Sequence, residues 1–192
     1  MTITYIIVFA MMLAFIFPPI RQRKTVYFSY FLILALSDPI NLAILYLLKI
    51  NPHTFYTIPM VFIYQSLANK GDLKKNLIPS IIVALILFAV AQFLPATVVP
   101  LLIFILSLAV AFQVLKITIR SSYNTMEINL FHFMLVLYQL TILIKFLLWS
   151  SGNEGIISFY VMNGFSAIIA IYFSIFTEEK PLLKIPLTPK KT

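Results

Sequence analysis

The sequence predicts an all-α, polytopic integral membrane protein with seven transmembrane helices, its N-terminus outside and its C-terminus cytoplasmic. Three observations carry that expectation. The 192 residues are 61% hydrophobic and only 10% charged, with a mean hydropathy of +1.01; so few charges cannot cover a surface in water, whereas lipid requires none. The apolar residues fall into seven runs, each near the length that crosses a bilayer. Threading those runs through a membrane leaves twelve of the fourteen Lys and Arg residues on one side.

The runs lie at about 2–20, 25–49, 54–69, 77–95, 97–118, 125–149 and 155–177. The first ends on Arg21, Arg23 and Lys24. A signal peptide has its basic residues before the apolar stretch, so this run reads as a retained helix. The second holds Ser37, Asp38, Pro39 and Asn41 near its middle. The third is the shortest and contains Pro59. Omitting it would move Lys70, Lys74 and Lys75 to the side of Lys49 and weaken the charge asymmetry, which favours keeping it. Gln65, Gln92 and Gln113 stand alone in runs three, four and five. Run six opens with Glu127 and Asn129, where the helix dipole favours an acid. In run seven Ser166, Ala170 and Ser174 recur every four residues, a small-residue stripe that lets helices approach closely.

Short links make sequence neighbours antiparallel. Asn51-Pro52-His53, Pro95-Ala96-Thr97 and Ser150 to Glu154 lie on one face; Arg21 to Lys24, Asn69 to Asn76 and Ile119 to Asn124 lie on the other. The second face carries the basic residues, including Lys116, Arg120, Lys180, Lys184, Lys190 and Lys191, and the positive-inside rule makes it cytoplasmic. The net charge of +8 is thereby accounted for as topology, with the lipid bilayer as partner and no nucleic acid. The setting expected is the plasma (cytoplasmic) membrane of a prokaryote. Residues 1–177 form the transmembrane domain, and 178–192 form a short basic tail. Pro181, Pro186 and Pro189 exclude a stable helix from the tail, which is expected to be unstructured or to lie on the surface.

Polar residues inside hydrocarbon need a reason. Asp38 precedes Pro39, which removes a backbone donor and should kink the helix, with Ser37 and Asn41 close by. His132 and Gln139 are seven apart on one face of run six, on either side of the bilayer midplane, and His132 is a candidate partner for Asp38. Lys145 lies on the opposite face with Tyr138 and Thr141, positioned to snorkel to the outer interface towards Glu154. Gln65 and Asn163 complete the candidate binding or polar-core residues: Asp38, Pro39, Asn41, Gln65, His132, Gln139 and Asn163.

Cysteine is absent, which excludes thiolate metal sites and Cys nucleophiles. One lone His is poor evidence for a metal, and there is no Gly-rich phosphate loop, so no catalytic residue, cofactor or metal is expected. Run seven has no lysine for a retinal Schiff base. The expected role is a non-catalytic sensor, accessory or assembly subunit working through other membrane subunits. The alternative is a facilitator or transporter with a small-molecule ligand, its path passing Asp38 and His132. The chain is similar in size to seven-helix sugar facilitators but lacks their Pro-Gln pair. A lipid-modifying enzyme using Asp38 ranks last.

Overall fold

A computed structural model describes residues 2–48, 52–152 and 155–187. Lys49, Asn51, Glu154, Lys190 and Lys191, all used in the topology above, lie outside the described residues. The chain is all-α apart from one two-stranded ribbon. Its elements run α1 Thr2–Arg21, α2 Phe28–Leu48, α3 Pro52–Phe55, α4 Thr57–Ala68, α5 Leu77–Phe93, α6 Val99–Thr125, β1 Glu127–Asn129, α7 Leu130–Ser150, α8 Ile156–Ile175 and β2 Lys184–Pro186. Among the described residues four helices are long and apolar enough to cross a membrane: α2, α6, α7 and α8. The apolar stretches of α1, α4 and α5 are shorter. Together the helices mark an integral membrane protein.

The helices form one bundle. α1 packs on α8 and α2, α6 packs on α7 and α4, and α4 also contacts α2 and α5. Aromatic side chains fill the centre: Tyr30, Phe31, Phe131 and Phe173 are fully enclosed, and the Phe31 and Phe173 ring centroids lie 4.8 Å apart. Outside, the exposed residues include Leu36, Ile40, Ile82, Leu85, Ile105, Leu108, Phe112 and Ile168. That surface suits hydrocarbon and not water. α5 is peripheral, since only Ala84 and Ala91 on it are buried; those two small residues, two turns apart, form the seam against its neighbours.

The α1–α2 loop, the α4–α5 turn and the end of α8 meet at one end, the basic one. There Gln22 Nε2 donates to the carbonyls of Phe173 (3.0 Å) and Phe176 (2.7 Å), and Arg21 Nε donates to Ile175 O (2.9 Å). The last carbonyls of α8 have no helical partner, so the end of α1 caps α8. The α4–α5 turn is held against the α1–α2 loop. Ser29 Oγ donates to Gly71 O at 2.8 Å, and Gly71 adopts φ +85° with its Cα so close that a Cβ would meet Val26 O at 2.4 Å. Only glycine fits both demands.

Three sequence expectations are corrected. Run three is not one helix over 54–69: it breaks at Tyr56, between α3 and α4. Pro59 has no N–H for the carbonyl of Phe55, four residues earlier, and its ring crowds that carbonyl. The link expected at Ile119 to Asn124 is instead the last part of α6, which ends at Met126 in a left-handed conformation, φ 52°. Glu127 and Asn129 therefore do not begin a helix. They form β1, and Glu127 does not sit in a helical first turn; α7 starts at Leu130, capped by Asn129, whose side chain accepts from Phe131 N at 2.9 Å.

The tail, expected to be unstructured or to lie on the surface, is described through Leu187 and lies on the surface as an exposed strand. β2 pairs antiparallel with β1 in the register Glu127 with Pro186, Ile128 with Ile185 and Asn129 with Lys184. Leu130 N donates to Leu183 O (3.1 Å) and Leu187 N to Met126 O (2.9 Å). The prolines that exclude a helix do not exclude an edge strand, where a missing N–H faces outward.

Candidate functional site

Two polar places stand out, at opposite ends of the bundle. The first is a cavity of about 290 Å³ between α1, α2, α4, α7 and α8. Met11, Phe15, Met60, Phe146, Trp149 and Phe159 give it apolar and aromatic walls. Into it face Ser37 and Asp38 from α2, Tyr56 from the α3–α4 break, Tyr138, Thr141 and Lys145 from α7, and Ser166 from α8. A carboxylate and an ammonium thus share one otherwise aromatic chamber.

Local sequence explains how these groups arrive. Pro39 sits inside α2 without ending it, and Ser37 Oγ donates to Ile33 O at 2.6 Å, one turn back. Asp38 is half-buried and accepts from the Tyr56 hydroxyl at 2.8 Å. Asn41, three residues on, is buried, and its Oδ1 has no partner. Tyr56 keeps a helical backbone at the α3–α4 junction, φ −60° and ψ −18°, and its side chain reaches across to α2. On α7, Tyr138, Thr141 and Lys145 follow the three- and four-residue spacing that keeps side chains on one face. Lys145 therefore lines the cavity, whereas the sequence suggested an outward snorkel.

The second place is the closure at the basic end. His132 is 1% exposed, and its Nε2 lies 2.9 Å from the Tyr27 hydroxyl and 3.0 Å from Glu178 Oε1. A carboxylate only accepts, so the tautomer with hydrogen on Nε2 donates to Glu178. Nδ1 has no partner. Asn129 Nδ2 donates to Glu178 O at 2.9 Å. The start of α7, the α1–α2 loop and the tail are joined at this point. Burial, then the Glu178 carboxylate and then the Tyr30 phenol push the Tyr27 hydroxyl above the ordinary tyrosine range, so it stays protonated.

The structure separates residues that the sequence had grouped. His132 does not meet Asp38: it stands in the first turn of α7, at the basic end, and not beside the midplane. Gln139 lies two turns further on, is buried, and donates to the Tyr30 hydroxyl at 2.6 Å. Gln65 is outside the cavity and ties the α4–α5 turn through Leu73 O and Lys75 O. Asn163 is buried on α8 with its Nδ2 unpartnered. Tyr56, Tyr27 and Glu178 were not among the residues singled out, and Lys145 was assigned to the interface and not to a cavity. The spacing of Tyr138, Thr141 and Lys145 was the available signal for Lys145; nothing local marks Tyr56 or Glu178. No protein-family model matches the chain, and neither a curated protein nor a solved structure matches it significantly.

Proposed function

We propose that the chain is a non-catalytic, seven-span membrane protein that takes a small zwitterionic or polar solute into the Asp38–Lys145 cavity, as a sensor or facilitator. The observation that carries this reading is that chamber, where Asp38 and Lys145 offer opposite charges among aromatic walls. A cationic group would meet Asp38 and the Tyr56 oxygen, an anionic group would meet Lys145, and an apolar body would lie on Phe146, Trp149 or Phe159. A chamber of about 290 Å³ is at the lower edge of the usual range for ligand pockets, which favours a small solute.

The seven-span topology belongs to the same reading. α1 is 20 residues, roughly 30 Å long, and α5 is 17 residues, roughly 25 Å. α4 reaches a comparable depth only together with α3. Such lengths cross a bilayer of about 30 Å with modest local thinning. Cytoplasmic placement of the basic end, with the N-terminus outside, follows from the charge asymmetry, as does a plasma membrane with a cytoplasmic face. A second reading, a subunit that assembles through α5, is favoured by the scarcity of buried residues on that helix.

The test is thermal-shift titration of the purified full chain in detergent with glycine betaine, leucine and a neutral sugar. The expected result is stabilisation by a zwitterion, weakened about tenfold or more in Asp38→Asn and in Lys145→Gln, with both variants still folded in the absence of ligand. Stabilisation by none of the three probes, or stabilisation that both variants retain in full, would count against the cavity as a binding site. Stoichiometric co-purification of another membrane protein through α5 would support the second reading.

A further inference from the structure

A second cavity, of about 450 Å³, opens at the basic end between α4, α6, the α1–α2 loop and the tail. Lys70, Lys116 and Arg120 stand on its walls. Lys116 and Arg120 are four apart on α6 and so share a face, where like charges repel. Lys70 is brought opposite them by the α4–α5 turn, in which Lys70 itself adopts φ 52°. All three are exposed, and none makes an ion pair among the described residues. The one carboxylate lining this cavity, Glu178, is engaged by His132. Positive-inside topology requires cations at this end but does not require three of them around one cavity. Lys74 and Lys75 lie at the same end and do not line it.

We infer that this cavity is an anion site for the phosphate of an anionic phospholipid. Depth supports the assignment. Measured along α6 from Val99, Lys116 lies about 26 Å and Arg120 about 32 Å away, which straddles a hydrocarbon core of roughly 30 Å. The guanidinium and ammonium groups thus sit at headgroup level. Val26, Leu67, Ala68 and Ile117 add apolar walls to the same cavity, and the exposed Leu108, Phe112 and Leu115 continue an apolar surface along α6 for acyl chains. Arg120 can hold phosphate oxygens in two parallel hydrogen bonds, with the two lysines as point charges. This site is independent of the solute proposed for the Asp38 cavity.

The experiment uses the full chain in neutral detergent, with phosphatidylglycerol, phosphatidic acid or phosphatidylcholine added, read by native mass spectrometry and thermal shift. The anionic lipids should be retained and phosphatidylcholine lost. Lys116→Gln with Arg120→Gln should weaken retention about thirty-fold, each basic residue at an anionic lipid being worth roughly five-fold. Lys74→Gln with Lys75→Gln should leave it nearly unchanged. A separate titration with inorganic phosphate decides the source: saturation at micromolar phosphate without preference among lipids would assign the same site to a soluble phosphate and overturn the lipid assignment. Equal retention of phosphatidylcholine without phosphate binding, or an equal loss in the Lys74/Lys75 variant, would overturn the site itself.

Discussion

The Tyr56 hydroxyl donates to Asp38 Oδ1 at 2.8 Å, from the break between α3 and α4. That contact joins two residues eighteen positions apart in the chain, each close to a proline. Pro39 follows the acid inside α2, and Pro59 makes the break from which Tyr56 reaches it. Tyr56→Phe keeps the ring and removes the donor. It should cost about 1.5–3 kcal/mol, as for a hydrogen bond to a charged acceptor, read as a lower melting temperature in detergent. Pro59→Ala should restore the missing backbone bond, fuse α3 with α4 and raise helicity, whereas Asp38→Asn should weaken solute binding without that rise.

The crossing of α4 can be checked directly, because the chain has no native cysteine. Single substitutions Lys24→Cys and Lys74→Cys should label from the same side of the membrane, and Thr97→Cys from the other. Labelling of Lys24→Cys and Lys74→Cys from opposite sides would remove α4 from the spans.

Gly71 marks the tightest backbone approach at the basic end. Gly71→Ala adds a left-handed penalty of about 1 kcal/mol to a collision with Val26 O. The expected outcome is a loss of at least about 2 kcal/mol or failure to accumulate folded protein. Gly164, around which a Cβ meets nothing within 4 Å, supplies the control: Gly164→Ala should be neutral or slightly stabilising.

The ordered tail makes a kinetic prediction. Lys184 lies within the segment held by β1, Asn129 and His132, whereas Lys180 precedes Pro181 and so resists trypsin. Trypsin should cut after Lys184 slowly in the native chain. His132→Ala and Asn129→Ala should each accelerate cleavage several-fold without changing the rate at Lys74 or Lys75.

Tyr27 sets an alkaline limit. Its hydroxyl is held above the ordinary tyrosine value of about 10, chiefly by burial. Above that pH the unfolded chain releases a proton that the folded chain retains, so stability is complete below about pH 10 and falls as pH rises further. In Tyr27→Phe the fall should be shallower by one proton, measured as the slope of unfolding free energy against pH in detergent.

Composition and charge order were enough to read the class of molecule and most helix positions. Hydrocarbon tolerates almost no charge, so apolar run length and the placement of Lys and Arg are written locally along the chain. The same locality found Asp38 as an acid needing a partner, and it identified Gln139 and His132 as polar groups on one face of α7. It failed where geometry depends on distant segments. Tyr56 becomes the partner of Asp38 only because the α3–α4 segment packs against α2. Lys145 faces a chamber and not the interface because five helices leave space there. The tail folds back because β1 presents an edge to it and Glu178 reaches His132, forty-six positions earlier in the chain; no local propensity encodes such a meeting. Solvent preference is a property of each side chain and can be read in order, whereas the pairing of buried polar groups is decided by which helices become neighbours.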